Sequence, residues 1–301
     1  MNTSSDQPPR ANDRRSLAVF VGSMLIFGTV GVLRRSIPLS SALLAFARGV
    51  LGGLFLLIFV KARKKDAGAR MACRDLLRLI LTGAMIGINW ILLFEAYDHT
   101  TVAIATLCYY MEPTIVMLLS PLIFRERLTV RKAICAAVSI MGMVLVSGAV
   151  GDGGQGDLWG VLLGLGAALF YSGVVILNKT VPEIEPFRRT TVLLLSAGFV
   201  MLPYLLLTGG FSGAAFSPAA LLLLLVMGIV HTGVAYAMYF GSMDGLRVQT
   251  IAVFSYIDPV SALLFSALLL REPMSPLNIL GAVMIIGSAM VSELQTGEDR
   301  R

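Results

Sequence analysis

The chain has 301 residues, 56% of them hydrophobic and only 14% charged. A water-soluble domain cannot hide that much apolar surface, so the bilayer is the expected solvent for most of the molecule. The net charge of +6 would suit a nucleic-acid binder if the chain were soluble, but the basic residues gather in loops between apolar runs, and membrane topology accounts for them instead.

The N-terminus is polar and basic (Pro8, Pro9, Arg10, Arg14, Arg15) and carries no cleavable-signal pattern. Ten apolar runs of roughly membrane-crossing length follow. They cover 17–33, 39–60, 76–97, 101–124, 132–148, 158–177, 190–208, 219–240, 248–270 and 277–292. Lys61, Arg63, Lys64, Lys65, Arg70 and Arg74 crowd the second loop; Arg125, Arg127, Arg131 and Lys132 fill the fourth; Lys179, Arg188 and Arg189 flank the sixth. The fifth loop, 149–157, is glycine-rich and acidic, and the seventh is uncharged. Even-numbered loops and both termini are therefore expected on the cytoplasmic side of a bacterial inner membrane. Arg34 and Arg35 are the exception on the outer side, where they either line the mouth of a cavity or snorkel to headgroups, the second being the favoured expectation.

Residues 94–140 align without a gap on 240–286, 146 residues later. The match pairs Phe94 with Phe240, Asp98 with Asp244, Tyr110 with Tyr256, Ser120 with Ser266 and Arg125-Glu126 with Arg271-Glu272. The expected organisation is a tail (1–15), a five-helix repeat (16–148), an outer loop (149–157), a second five-helix repeat (158–294) and a tail (295–301). Five is odd, so the second repeat enters the membrane from the opposite side. The expected fold is all-α, with ten transmembrane helices in two inverted five-helix repeats. Each half can then adopt the other's shape, a physical route to alternating access.

An acid-proline step lies mid-run in each copy, Glu112-Pro113 and Asp258-Pro259. A carboxylate there costs several kcal/mol unless it meets a partner or a wet cavity. The proline frees a backbone carbonyl about one turn earlier, expected at Cys108 and Phe254. At helical spacing the acids share their surroundings with Tyr109, Tyr110 and Tyr256. Trp90 and Phe94 form a stripe with Tyr97 on the third run, and Tyr236 with Phe240 is its symmetric mate. Aromatic faces with carboxylates suit an amine-bearing solute through cation–π attraction and charge pairing. The candidate substrate-binding set is thus Glu112, Asp258, Trp90, Tyr109, Tyr110, Tyr236, Tyr256, Phe94 and Glu95. Glu112, Asp258 and the mid-run His231 are the candidates for coupling to protons. Arg48 requires a carboxylate partner or an aqueous pocket. Gly49/Gly53, Gly83/Gly87 and Gly160/Gly164 are expected at close helix contacts.

No metal-ligand cluster, activated nucleophile or cofactor-binding pattern is present in the sequence. Cys73, Cys108 and Cys135 are scattered. Gly151 to Gly156 fits G-x-G-x-x-G but lies between two membrane helices rather than in a strand–turn–helix. Asp98 and Asp157 mimic an intramembrane protease pair, yet Asp157 sits in a polar loop. A non-enzymatic protein without cofactor, binding a small solute and lipid as a monomer or homodimer, is expected.

The segments YYMEP…SPLIFRERLT and SYIDP…SALLLREPMS, with the early arginine of LAFARG, resemble the ten-helix EamA-like branch of the drug/metabolite transporter superfamily over about residues 16–294. The resemblance implies a central cavity between repeats, and glutamates closing the fourth and ninth helices, here Glu126 and Glu272. It implies transport of amino acids, nucleotide-related metabolites, choline-like amines or toxic compounds, commonly outward. Acids before the prolines depart from the pattern, where small or apolar residues are frequent. That departure points to an amine-bearing solute or a coupled proton.

Overall fold

The computed structural model describes residues 14–62, 72–124, 129–147, 158–178, 180–181, 184–207, 210, 216–243 and 245–293, and among them there is no strand. The first apolar run is α1 (Arg14–Gly28) and α2 (Val30–Arg35), bent at Thr29, whose hydroxyl donates back to the Ile26 carbonyl at 2.7 Å. Then come α3 (Ser41–Ala62) and α4 (Cys73–His99). Thr101 opens α5 (Val102–Tyr109) by accepting the Ile104 N–H at 3.1 Å, and α6 (Glu112–Phe124) and α7 (Val130–Val146) complete the first half. The second half holds α8 (Leu158–Asn178), α9 (Pro186–Leu207) and α10 (Pro218–Leu225), the last capped by Ser217 with Pro218 at its first position. It continues through a wide-turn π segment, Val226–Val234, into α11 (Ala235–Met243), then α12 (Val248–Ser255), α13 (Ile257–Leu269) and α14 (Pro276–Glu293).

Among the described residues, seven helices or bent helix series are long and apolar enough to cross a membrane. The remaining predicted runs appear as shorter helices, α7, α12–α13 and α14. Leu122 is 79% exposed and Leu207 88% exposed, as lipid-facing side chains should be and water-facing ones should not.

Both acid-proline steps break their helices at equivalent places, Tyr110–Met111 between α5 and α6 and Tyr256 between α12 and α13. Pro113 has no N–H for the carbonyl of Tyr109, four residues back, and Pro259 has none for Ser255. This corrects the expectation at Cys108 and Phe254, each one residue short of the carbonyl that loses its donor; the Cys108 carbonyl accepts the Met111 N–H at 3.1 Å, and the Tyr256 N–H turns back to the Val253 carbonyl at 3.3 Å.

The largest interfaces join the two halves: α3 with α9, α4 with α8, and α7 with α14. The predicted glycine pairs do lie at close contacts between the halves, Gly49/Gly53 and Gly83/Gly87 against α9 and Gly160/Gly164 against Thr100 and Cys108. A Cβ on Gly49 would fall 2.6 Å from the Gly198 nitrogen, so α3 and α9 touch backbone to backbone. On the α7–α14 face, Ser139 and Ser288 share a buried hydrogen bond at 2.6 Å. Helices α4 and α8 run antiparallel, Gly160 lying against Thr100 at one end and Arg78 donating to the Thr180 carbonyl at the other.

Cys108 and Cys135 are buried thiols, and Cys73 is exposed. Expectations that fall on Glu126, Asp157, Lys179, Asp244, the Gly151–Gly156 pattern and the tails lie outside the described residues.

Candidate functional site

Between the halves lies a cavity of about 590 Å³, within the range of small-molecule sites. Its lining comes in pairs 146 residues apart: Trp90 and Tyr236, Tyr110 and Tyr256, Glu112 and Asp258. Tyr109, Tyr171 and Tyr239 add further aromatic surface. Tyr109 is the hub of a three-ring cluster, 5.6 Å from Tyr110 and 5.5 Å from Tyr171 by ring centroids. Phe27, Tyr236, Tyr239 and Phe240 form a second aromatic wall.

The broken helices put polar groups where an unbroken one would put a seamless backbone. Asp258, in the first turn of α13, accepts a hydrogen bond from the Tyr110 hydroxyl at 2.6 Å, tying one half to the other. Glu112 stands equivalently in the first turn of α6, its carbonyl accepting from Ser172 at 3.3 Å. Both carboxylates therefore sit at helix N-termini, which favour negative charge.

Arg48 enters from α3 and is only 5% exposed. Its Nε donates to the Thr232 hydroxyl at 2.8 Å, and its guanidinium carbon lies 4.5 Å from the Trp90 ring centroid and 5.9 Å from that of Phe94. The π segment aims Thr232, whose hydroxyl donates to the carbonyl five residues back, Met227, at 3.0 Å. Gly52 lets α3 come that close, since a Cβ there would lie 2.5 Å from Thr232 Cγ2.

Of the predicted substrate-binding residues, Glu112, Asp258, Trp90, Tyr109, Tyr110, Tyr236 and Tyr256 line the cavity. Phe94 is fully buried and lies beneath Arg48, behind the lining; Glu95 is half-buried outside it. His231 also lies off the lining, 9% exposed, its ring bonded to the Thr29 hydroxyl at 2.9 Å and the Val226 carbonyl at 3.3 Å. Tyr171 was not singled out by the sequence. A second, 144-residue offset that aligns α8 on α1 would have matched it to Phe27.

One end of the cavity reaches Asn178, Pro186 and Arg189, where α8 ends and α9 begins. Near Val30, Gly31 and Tyr97 of the lining, the ends of α2 and α4 carry a polar cluster. Arg34, 6% exposed, pairs with Asp98 and donates to the Ile37 carbonyl at 3.1 Å and Ser41 at 3.2 Å. Arg35 donates to the Thr100 carbonyl at 2.7 Å and to Glu272 at 3.3 Å. Glu272 also accepts the Val102 N–H at 2.8 Å and the Ser266 hydroxyl. The favoured expectation of snorkelling is thus corrected for Arg34, which is buried against Asp98, Ser41 and the Ile37 carbonyl, while the more exposed Arg35 reaches the Thr100 carbonyl and Glu272. Arg271 adopts φ 56°, a left-handed conformation that costs a non-glycine residue of order 1 kcal/mol, at the turn that brings Glu272 back to Ser266.

Membrane-length helices enclosing a polar cavity between two like halves define a transporter. The model of the EamA-like transporter family matches residues 14–148 and again 158–293, and the chain belongs to that family. Among relatives, the "Uncharacterized transporter YxxF" of Bacillus subtilis (strain 168) is 30% identical over 286 residues, covering 92% of this chain and 90% of the relative. A "Probable amino-acid metabolite efflux pump" of Salmonella typhimurium is 25% identical over 198 residues, 63% of this chain and 66% of that one. A protein of known crystal structure has the same fold, with TM-score 0.62 and 20% identity over 93% of this chain and 96% of its own.

Proposed function

We propose that this transporter moves small amine-bearing organic solutes, amino acids or choline-like cations, across the bacterial inner membrane by alternating access. The carrying observation is the pair of symmetric carboxylates, Glu112 and Asp258, facing one aromatic-lined cavity from opposite halves. The two repeats are inverted, ten crossings in all, and both termini lie in the cytoplasm. In that topology the α8–α9 mouth is the cytoplasmic one and the Arg34–Asp98 and Arg35–Glu272 cluster is the closed outer gate. Exchange of the halves' conformations opens that gate and closes the mouth.

A proton and a cationic amine compete by charge for one carboxyl group, which supplies a physical basis for proton-coupled export. Glu112 and Asp258 are the coupling groups, since both face the cavity. The name of the Salmonella typhimurium relative supports the amino-acid reading. The test is uptake of labelled amino acids and choline into proteoliposomes with an imposed pH gradient. Gradient-driven flux that Asp258→Asn abolishes supports the reading. Equal flux in both directions without a gradient would instead make the protein a facilitator, and no flux of any amine would reject it.

A further inference from the structure

Arg48 is a buried charge with no carboxylate partner among the described residues. Among the described residues no aspartate or glutamate lies within ion-pair distance of it, and Thr232 is its one hydrogen-bond partner. Thr232 takes only Nε, and Trp90 and Phe94 stack against the guanidinium without accepting a conventional hydrogen bond. The Nη pair, the forked edge that grips carboxylates two bonds at a time, is left for the cavity that Arg48 lines. A buried, uncompensated guanidinium is unfavourable by several kcal/mol, so such a residue persists where an anion or water meets it.

Asp258 presents the complementary case on the same cavity. The Tyr110 hydroxyl occupies Oδ2, and among the described residues Oδ1 accepts no hydrogen bond. Arg48 and Asp258 both line the cavity without pairing with each other; Glu112 lines it too, and Arg189 stands at the α8–α9 mouth. Helix α9 of the second half has its basic residues, Arg188 and Arg189, in the first turn only, so Arg48 has no mid-helix basic counterpart there.

Resting on the transport reading above, we propose that the solute is a zwitterionic α-amino acid, its carboxylate gripped by Arg48 and its ammonium group by Asp258. A choline-like cation satisfies Asp258 but leaves Arg48 unmatched and repelling it; a simple carboxylic acid meets the reverse mismatch. Tyr109, Tyr171 and Tyr236 around this pair suit an uncharged, apolar or aromatic side chain. Arg48 is thereby the residue that narrows amine-bearing solutes to amino acids.

The test is ligand binding to the purified wild-type protein, by calorimetry and thermal shift, with two matched series. The first is leucine, 3-methylbutylamine and 4-methylpentanoate; the second is phenylalanine, 2-phenylethylamine and 3-phenylpropanoate. At least one amino acid should bind, with its decarboxylated amine and its deaminated acid each about ten- to hundredfold weaker, the worth of a charged hydrogen bond lost. Arg48→Lys, which keeps the charge but loses the fork, should weaken the amino acid about tenfold and leave the amine unchanged. Amines binding as tightly as their amino acids, or choline binding more tightly than either amino acid, would overturn the assignment while leaving amine transport intact. No binding by any amino acid, amine or choline would overturn both. Should Arg48→Lys fail to fold, the wild-type series decides alone.

Discussion

Glu272 offers the sharpest perturbation of the closed end, and its effect can be worked from its contacts. Glu272→Gln keeps an oxygen in place but removes the charge that meets Arg35, the Val102 N–H and the Ser266 hydroxyl. A hydrogen bond to a charged group is worth about 1.5–3 kcal/mol and a neutral one about 1. The bonds to Val102 and Ser266 should therefore each weaken by about 1 kcal/mol. Arg35 is 34% exposed, so its ion pair adds only a fraction of a kcal/mol. The total, about 2 kcal/mol, favours opening of this end by roughly 30-fold. Hydrogen exchange followed by mass spectrometry on the protein in nanodiscs reads this directly. Backbone amides of residues 29–38 and 98–106 should exchange roughly 30-fold faster, with those of α7 and α14 unchanged. If exchange at 29–38 and 98–106 stays at the wild-type rate and transport is unaltered, the cluster is static packing and the gate assignment is wrong.

Tyr110→Phe removes the donor to Asp258 without changing ring volume. It should raise the KM for transport about tenfold and lower thermal stability by about 1–3 kcal/mol, since the Asp258 carboxylate loses its protein donor. His231→Gln should cost about 1 kcal/mol of stability through the Thr29 contact yet leave the pH profile of transport where it was. A shifted profile would place the ring in the proton path. Gly49→Ala pushes a methyl group against the Gly198 backbone and should destabilise the protein by about 1–3 kcal/mol in thermal unfolding. Gly287→Ala meets nothing within 4 Å and should be neutral or stabilising by up to about 1 kcal/mol. Equal effects at the two glycines would mean that the α3–α9 contact is looser than its geometry.

Composition and the length of the apolar runs were enough to put this chain in a membrane as helices, because hydrocarbon admits only backbones that satisfy their own hydrogen bonds, and continuous apolar runs of about 20 residues suit the helix rather than the barrel strand. The repeat of the acid-proline step located both helix breaks, since a proline removes its donor whatever surrounds it. Seven of the nine substrate-site candidates reached the cavity because helical spacing fixes which side chains share a face. Spacing does not say how a helix is rotated against its neighbours, so Phe94 fell behind the lining and His231 into a helix contact. The partners of charged groups lie far off in sequence, Arg34 with Asp98, Arg35 with Glu272, Arg48 with Thr232, and no local pattern encodes them. Which arginine is paired inside the protein and which is left facing the cavity is a matter of distances of 3–4 Å between helices, and only packing sets those.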